Sequence, residues 1–368
     1  YLHEEASQSR YLMSEAEETL AAELSLSGGL AWQNLQGVVT SQLKVAFDRG
    51  DGVEELPITV VQNLRSHPDE ALRRRAYEVE VAAWEGVREP LAACLNGVKG
   101  TVITLDRRRG RTDALQQTLD QERIDRRTLE AMLEAMRDSF PAFRRYFRHK
   151  ARLLGKEALP WWDLFAPLGR TDEHMSWAQA QEFIDEQFAS FSPDLAALGR
   201  RAFEEQWIDA EPRDGKRGGA FCMALPAVEE SRVFSNFDGT LDGVMTLAHE
   251  LGHAYHNECQ AGKTMLQKKK PMTLAETASI MNETIVTNAI LARSSQRDEK
   301  LAILEAFLTN AGQVIVDIYS RFLFEQEVFR RRAEAELSAD ELCTIMLSAQ
   351  RATYGDGLSD VDLGALAD

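Results

Sequence analysis

Cysteine is scarce in this chain of 368 residues, and the four that occur are far apart. Cys94, Cys222, Cys259 and Cys343 include no C-x-x-C pair, which argues against a disulfide framework. Isolated thiols of this kind are typical of proteins in a reducing compartment. We therefore expect a cytoplasmic protein.

Long apolar runs are also lacking. No run approaches the roughly 18 residues that a membrane-spanning helix needs, so we expect no membrane partner. The first ten residues, YLHEEASQSR, lack the basic and then apolar pattern of a signal peptide, and they lack a starting methionine. We expect a fragment or a processed chain, which leaves open a signal on a preceding segment.

Positive charge is outnumbered by negative charge, and the formal net charge is −17. A field of this sign repels nucleic acids and anionic membrane surfaces, so neither is an expected partner. Three short basic runs, at residues 73–75, 107–109 and 268–270, are interpreted as solvated helix faces and loops. The sequence does not indicate an oligomeric state.

Helical periodicity is the main pattern that is present. Apolar residues recur every three or four positions through residues 129–140, 177–191 and 300–330, and the last of these predicts one long helix. Ser338 and Glu341 have the spacing of a capping box, which predicts a helix after them. The fold is therefore predicted to be mainly α, with many helices.

Glycines, β-branched residues and aromatic residues replace this pattern between Pro212 and Asp242. They predict two short strands, at about residues 218–225 and 232–236. The acidic segment DRGDGVEELP, which ends at Pro57, is the best candidate for a domain boundary. We accordingly predict an N-terminal helical region at residues 1–66 and a larger region at residues 67–368.

The stretch TLAHELGHAYHNE, residues 246–258, contains an H-E-x-x-H motif. Chance would produce about 0.01 such matches in a chain of this composition. Residues four apart lie on one face of a helix, so His249 and His253 could bind one Zn²⁺ together. Glu250, one step round the helix, could reach a water at that metal without being a ligand itself.

A catalytic zinc usually has three protein ligands. His256 is an unfavourable third ligand, because it would lie about 7.5 Å along the helix from the midpoint of the histidine pair. The metzincin pattern requires glycine at position 256 and histidine at 259, and the chain has His256 and Cys259. Glu276 is favoured instead; the alternative is a capping box with Thr273.

Three further predictions concern the surroundings of this motif. Glu283 lies on the same helical face as Glu276 and is either a hydrogen-bond partner of a ligand histidine or a surface acid. His256 either supports a ligand through a hydrogen bond, or faces the substrate, or is structural. The first predicted strand would bind a peptide along its edge at Gly218, Gly219, Ala220 and Phe221; a tight turn is the alternative reading of the two glycines.

TLAHELGHAYH and PMTLAETASIMNE resemble the zinc signature of the M3 metallopeptidases, and within them of the oligoendopeptidase F group. GKRGGAF, FSNFDGTLDGVMT, WWDLFAPLG and SLSGGLAWQNL resemble the same group. The resemblance implies a zincin-like gluzincin fold, with a small β-sheet beside the H-E-x-x-H helix. It also implies one Zn²⁺ per chain held by His249, His253 and Glu276, Glu250 as catalytic acid and base, and short unfolded peptides as substrates of an endopeptidase.

The ends of the chain depart from the family pattern. Members have a further helical region before residue 1, and after RATYGDGL a stretch with histidine and tyrosine residues that contact substrate. If the chain were the whole molecule, we would expect zinc binding with weak or absent peptidase activity. Two alternatives stay open: another gluzincin, such as a metallocarboxypeptidase, and a helical zinc-binding protein without catalysis.

Overall fold

The computed structural model describes residues 2–50, 52–169, 174–213, 216 and 219–359. These residues form mainly helices, as predicted, together with five short strands. The helices are α1 Leu2–Gln8, α2 Glu15–Ser27, α3 Gly29–Ser41, α4 Ile58–Gln62, α5 Glu70–Arg108, α6 Ala114–Glu122, α7 Arg126–Leu153, α8 Trp177–Phe191, α9 Pro193–Glu204, α10 Leu241–Cys259, α11 Thr277–Arg293, α12 Arg297–Gly312, α13 Ile318–Arg332 and α14 Ala339–Tyr354. The strands are β1 Lys44–Asp48, β2 Val53–Pro57, β3 Ile208–Asp209, β4 Phe221–Leu225 and β5 Glu230–Phe234.

The long helix predicted at residues 300–330 is confirmed, with one irregularity. A π-helical turn at Gln313–Asp317 joins α12 to α13, so the chain stays helical from Arg297 to Arg332. By length and composition this stretch could cross a membrane, since an 18-residue window has a mean hydropathy of 1.5. This stretch was not recognised from the sequence as a possible span, and the absence of a membrane partner stays a prediction.

The described residues divide into two compact units, residues 169–304 and residues 2–168 together with those from 305 onward. This division differs from the boundary at residue 66, which was inferred from composition and remains a prediction.

The segment before that boundary forms regular secondary structure. β1 and β2 form an antiparallel hairpin in which Lys44 lies opposite Pro57. Only Phe47 of β1 is fully buried, so the sequence carried almost no strand alternation here.

The unit formed by residues 2–168 and 305 onward contains the longest helices. Phe140 and Phe147 of α7 pack with Tyr354 of α14 in one apolar cluster. A second cluster joins Ala92 of α5 to Phe324 of α13. The capping box predicted for α14 is present, because Ser338 Oγ accepts from the Glu341 amide at 3.2 Å and the Glu341 carboxylate accepts from the Ser338 amide at 2.9 Å.

A buried ion pair lies inside this unit. The Lys150 ammonium donates to the Glu305 carboxylate, and both side chains are at most 5% exposed. Tyr146 Oη and Thr309 Oγ1 each donate to the same carboxylate at 2.9 Å. Because the lysine is buried, its pKa falls below the ordinary value, and the glutamate charge opposes that fall. The pair therefore depends on both partners being present.

We predict that Glu305→Ala lowers the free energy of unfolding by about 3–5 kcal/mol, since it leaves a buried ammonium without its counter-charge. Chemical denaturation measures the effect. Glu78→Ala is the control, because Glu78 pairs with Arg74 on an exposed helix face where such pairs contribute about 0–1 kcal/mol. Equal losses in the two variants would contradict the prediction.

The unit formed by residues 169–304 contains α8 to α11 and a three-stranded sheet. The strand order is β3–β5–β4, with β4 antiparallel and β3 parallel to β5. The two predicted strands are confirmed; the first begins at Phe221, and the second covers Glu230–Phe234 in place of 232–236. Two residues of β3 add to the sheet, a length too short to recognise from sequence. Leu247 and Leu251 of α10 and Val286 of α11 lie in one core.

Candidate metal centre

α10 presents the motif histidines on one side and buries the other. Its first turn is capped by Thr240, whose Oγ1 accepts from the Gly243 amide at 3.1 Å. Leu247 and Leu251 are fully buried in the core, whereas His249 and His253 are half-buried on the opposite face. The apolar back of the helix thus fixes the direction in which the two imidazoles point.

His249, His253 and Glu276 come together at the start of α11. Glu276 Oε2 lies 3.2 Å from His249 Nε2 and 3.2 Å from His253 Nε2, and the three ligand atoms lie within 4.8 Å of one another. Ligand atoms around a tetrahedral zinc are about 3.4 Å apart, given bonds of about 2.1 Å. The donor set and its spacing therefore fit a zinc ion.

Glu276 is positioned by the local fold of the chain before α11. A turn of 3₁₀ helix at Met272–Leu274 precedes it, and Glu276 occupies the position before the first helical residue, with no side-chain cap. The T-x-x-E spacing from Thr273 thus does not form the cap of α11. Ser279 Oγ donates to Glu276 Oε2 at 2.7 Å, which restrains the carboxylate.

Gly252 allows α10 and α11 to approach closely. A Cβ atom at this position would lie 2.6 Å from Ser279 Cα and 2.7 Å from Ala278 O, both backbone atoms of α11. No side chain fits there without a shift of one helix. The glycine within HELGH was not recognised from the sequence as a packing residue, although its place inside a helix was the available signal.

Glu250 is buried beside the histidines and is not one of the three converging groups. Its Oε2 atom has no hydrogen-bond partner within the described part of the chain. Burial raises the pKa of Glu250 to about 7, while the His249 charge opposes the rise and Glu276 adds to it. A carboxyl group with such a pKa can both accept and release a proton near neutral pH.

Glu283 of α11 lies behind His249. Its Oε2 atom is 3.3 Å from His249 Nδ1, and this contact is the main reason that the pKa of His249 rises above its ordinary value. A carboxylate at Nδ1 favours the tautomer that leaves Nε2 free to bind a metal. Glu283 was predicted to be either a hydrogen-bond partner of a ligand histidine or a surface acid. This distance supports the hydrogen-bond partner.

His256 lies outside the converging group. Its Nδ1 atom is buried without a hydrogen-bond partner in the described residues, and its Nε2 atom lies 3.5 Å from Gln260 Nε2. Burial lowers the pKa of His256, and the Lys270 ammonium lowers it further. The position agrees with the helical spacing, which placed His256 about one turn beyond the pair.

The predicted peptide edge lies at the start of β4. Gly218 is outside the described residues; Gly219, Ala220 and Phe221 lead into the strand. Gly219 has φ +84° and open space around it, and its carbonyl accepts from Asn236 Nδ2 at 3.0 Å. β4 pairs with β5 on one side, and no other described strand pairs with it. This second edge of β4 stays the predicted peptide-binding edge.

The helices, the small sheet beside α10 and the His–His–Glu group define a mainly α, zincin-like protein of the gluzincin type. The family model of peptidase family M3 matches residues 63–364, and the chain belongs to that family. This confirms the resemblance inferred from the sequence.

Several relatives carry the name of the predicted group. The chain is 24% identical over 340 residues to an oligoendopeptidase F homolog of Lactococcus lactis, covering 90% of this chain and 55% of the relative. It is 25% identical over 347 residues to the group B oligopeptidase PepB of Streptococcus agalactiae, covering 92% and 55%. The chain thus spans little more than half the length of these relatives.

A solved structure shows the same fold. The oligoendopeptidase-F of Enterococcus faecium superimposes with a TM-score of 0.76 at 18% identity, over 100% of this chain and 60% of that one. The zincin-like fold predicted from the resemblance is thereby confirmed.

We predict that Gly252→Ala weakens Zn²⁺ binding at least tenfold, because a Cβ atom would separate α11, which carries Glu276, from α10. Overpacking of this kind costs about 1–3 kcal/mol. Competition with a chromophoric chelator measures the zinc affinity. Gly86→Ala is the control, since a Cβ atom there would meet nothing within 4 Å and the site lies in the middle of α5. Unchanged zinc affinity in Gly252→Ala would contradict the packing argument.

Proposed function

We propose that this chain carries the catalytic centre of a zinc-dependent endopeptidase that hydrolyses short oligopeptides. The observation that carries the proposal is the convergence of His249, His253 and Glu276, with Glu250 buried next to them. Membership of a peptidase family supports it, as do relatives named oligoendopeptidase F.

His249, His253 and Glu276 would hold one Zn²⁺ per chain. Two neutral imidazoles and one carboxylate are the ligand set of gluzincin catalytic sites, which keep a fourth position open. Glu283 would hold the His249 ring in the orientation and tautomer that this role needs. When bound, zinc polarises the scissile carbonyl and makes a water molecule more acidic.

Glu250 would act as the general base and then as the general acid. Its carboxylate would take a proton from the attacking water and deliver it to the nitrogen of the leaving amine. In the metal-free chain, burial raises the pKa of this carboxyl group above its ordinary value, which favours its use as a proton carrier. Within the described residues, Oε2 has no hydrogen-bond partner that would compete with the water.

The peptide substrate would bind in extended form along the free edge of β4. Backbone hydrogen bonds to an edge strand do not depend on side chains, which suits substrates of varied sequence. Gly219 would let the peptide backbone approach closely at the start of the strand, and Ala220 and Phe221 would follow along the edge. The predicted Gly218 lies outside the described residues. His256, near the other end of the motif, is proposed to face the bound peptide.

Two other functions remain as alternatives. A metallocarboxypeptidase would use the same ligands and would remove single residues from a free C-terminus. A zinc-binding protein without catalysis would bind the metal and show no turnover. For the compartment, the cytoplasm stays our proposal, supported by the finding that all four cysteines are free.

We predict that Glu250→Gln lowers kcat/KM for an internally quenched peptide by at least about 10²-fold and retains one zinc per chain, because the glutamate transfers protons and is not a ligand. Glu276→Ala should lose the metal as well. Elemental analysis and fluorescence assays measure the two quantities. Glu186→Gln, an exposed acid on α8, is the control and should keep both. Equal cleavage by wild type and Glu250→Gln would contradict the role of Glu250 as general base and acid. A wild-type chain without bound zinc would contradict the assignment of the three ligands.

We predict that a peptide blocked at both ends is cut at an internal bond. An endopeptidase needs no free terminus, whereas a carboxypeptidase recognises one. Mass spectrometry of the products decides between them. A second peptide of the same sequence with a free C-terminus is the comparison. If only this second peptide were cleaved, and if it lost single residues from its C-terminus, the carboxypeptidase alternative would be favoured.

A further inference from the structure

A cavity of about 330 Å³ lies at the C-terminal end of α10, within the unit formed by residues 169–304. Its walls include Trp207 and Met265, the β4 residue Ala224, and Asn257 of α10. The volume is at the lower end of the range for small-molecule pockets, enough for one side chain or a chain terminus. None of the metal-centre residues lines it.

The acidic residues around the cavity are largely neutralised by neighbours. Glu230 pairs with Arg232 at 2.6 Å, and Glu258 pairs with Arg201 at 3.3 Å. The third acid, Glu229, is exposed to solvent. Two of the three acids are thus paired with arginines, and among the described lining residues Glu229 is the one left to offset the lysines.

The cavity is also lined by the basic run at residues 268–270, which was interpreted from the sequence as a solvated helix face or loop. Lys268 and Lys270 are half-buried and line the cavity. Neither has an ion-pair partner among the described residues, whereas four other lysines, Lys99, Lys150, Lys156 and Lys216, are paired. Partial burial of an unpaired ammonium is costly, and an anion in the cavity would relieve that cost.

The cavity adjoins both the proposed peptide edge and the motif helix. Side chains alternate along a strand, so Ala224, which lines the cavity, lies on the same face of β4 as Cys222. Asn257 joins α10 to β5, since its Nδ2 atom donates to Ser231 Oγ at 3.1 Å. A peptide along β4 could thus place a group in the cavity while another part of it lies near the metal centre.

We propose that this cavity binds a carboxylate group of the peptide substrate, with Lys268 and Lys270 as its counter-charges. The inference rests on the proposed peptidase function. The carboxylate comes either from an aspartate or glutamate side chain or from the free C-terminus of the peptide. Trp207 and Met265 would contact the apolar part of the same residue.

A peptide fits the observations better than a larger polyanion. The net charge of −17 repels nucleic acid at long range, and the cavity holds only one small group. Apolar walls beside two ammonium groups match a short methylene chain that ends in a carboxylate. An extended strand edge nearby is what a peptide backbone requires.

The test compares matched peptides on the wild-type chain. One series is blocked at both ends and carries Glu or Gln at successive positions around the cleaved bond; a second pair has a free or an amidated C-terminus. At one position, or at the terminus, the carboxylate should raise kcat/KM roughly tenfold. The position of the effect identifies the source of the carboxylate.

The double variant Lys268→Met/Lys270→Met should reduce this preference to about one. Lys263→Met is the control, because Lys263 is an exposed lysine of the same loop that does not line the cavity, and it should keep the preference. Wild type without any carboxylate preference, or the same loss in the double variant and the control, would overturn the proposal.

Peptide binding to the Glu250→Gln variant tests the cavity proposal separately from the proposed peptidase function. Fluorescence anisotropy of a labelled acidic peptide and its amide counterpart measures affinity without turnover. The acidic peptide should bind more tightly than the amide peptide, and this difference should be lost when Lys268→Met and Lys270→Met are added to Glu250→Gln. That result would support carboxylate binding in the cavity even if no peptide were cleaved. Cleavage by wild type with equal affinities for the two peptides would leave the peptidase function intact and overturn the cavity proposal.

Discussion

The close contact between α10 and α11 is the constraint on which the candidate centre depends. The two imidazoles belong to α10, and the carboxylates of Glu276 and Glu283 belong to the segment that begins α11. Gly252 lets the two backbones meet, with Ser279 at the contact and also bonded to Glu276. Metal ligands tolerate displacements of only a few tenths of an ångström, so the packing of two helices sets the coordination geometry.

The same packing explains why one carboxyl group of the site differs from the others. Glu250 is buried, whereas Glu276 is partly open to solvent and is restrained by Ser279 and the histidines. Burial is the largest influence on both groups, but in Glu276 the hydrogen bond from Ser279 and the histidine charges outweigh it, and its pKa falls below the usual value. Two adjacent carboxyl groups thus suit different roles, one as an anionic ligand and the other as a proton carrier.

The sequence predicted the elements that have strong local signals. Period and capping spacing located the long helices and the start of α14, and H-E-x-x-H with its spacing identified the histidines and Glu250. The candidate Glu276 followed from the need for a third ligand. Features that depend on tertiary contacts could not be predicted. β1 and β2 bury too few side chains to show an alternating apolar pattern. The packing role of Gly252 depends on a helix that begins 25 residues later. The basic run at residues 268–270 lies outside helices and strands, and the half-burial of Lys268 and Lys270 within it could not be predicted, because a run of identical charges carries no periodicity.

The free edge of β4 has a consequence for the behaviour of the protein in solution. No other described strand pairs with this edge, and an edge strand can pair with an extended segment, including the corresponding strand of another copy of the chain. β4 has only five residues, and Met223 on it is exposed, so the edge is short but apolar. A peptide bound there would compete with self-association, and the colloidal stability of the protein would then vary with the supply of its own ligand.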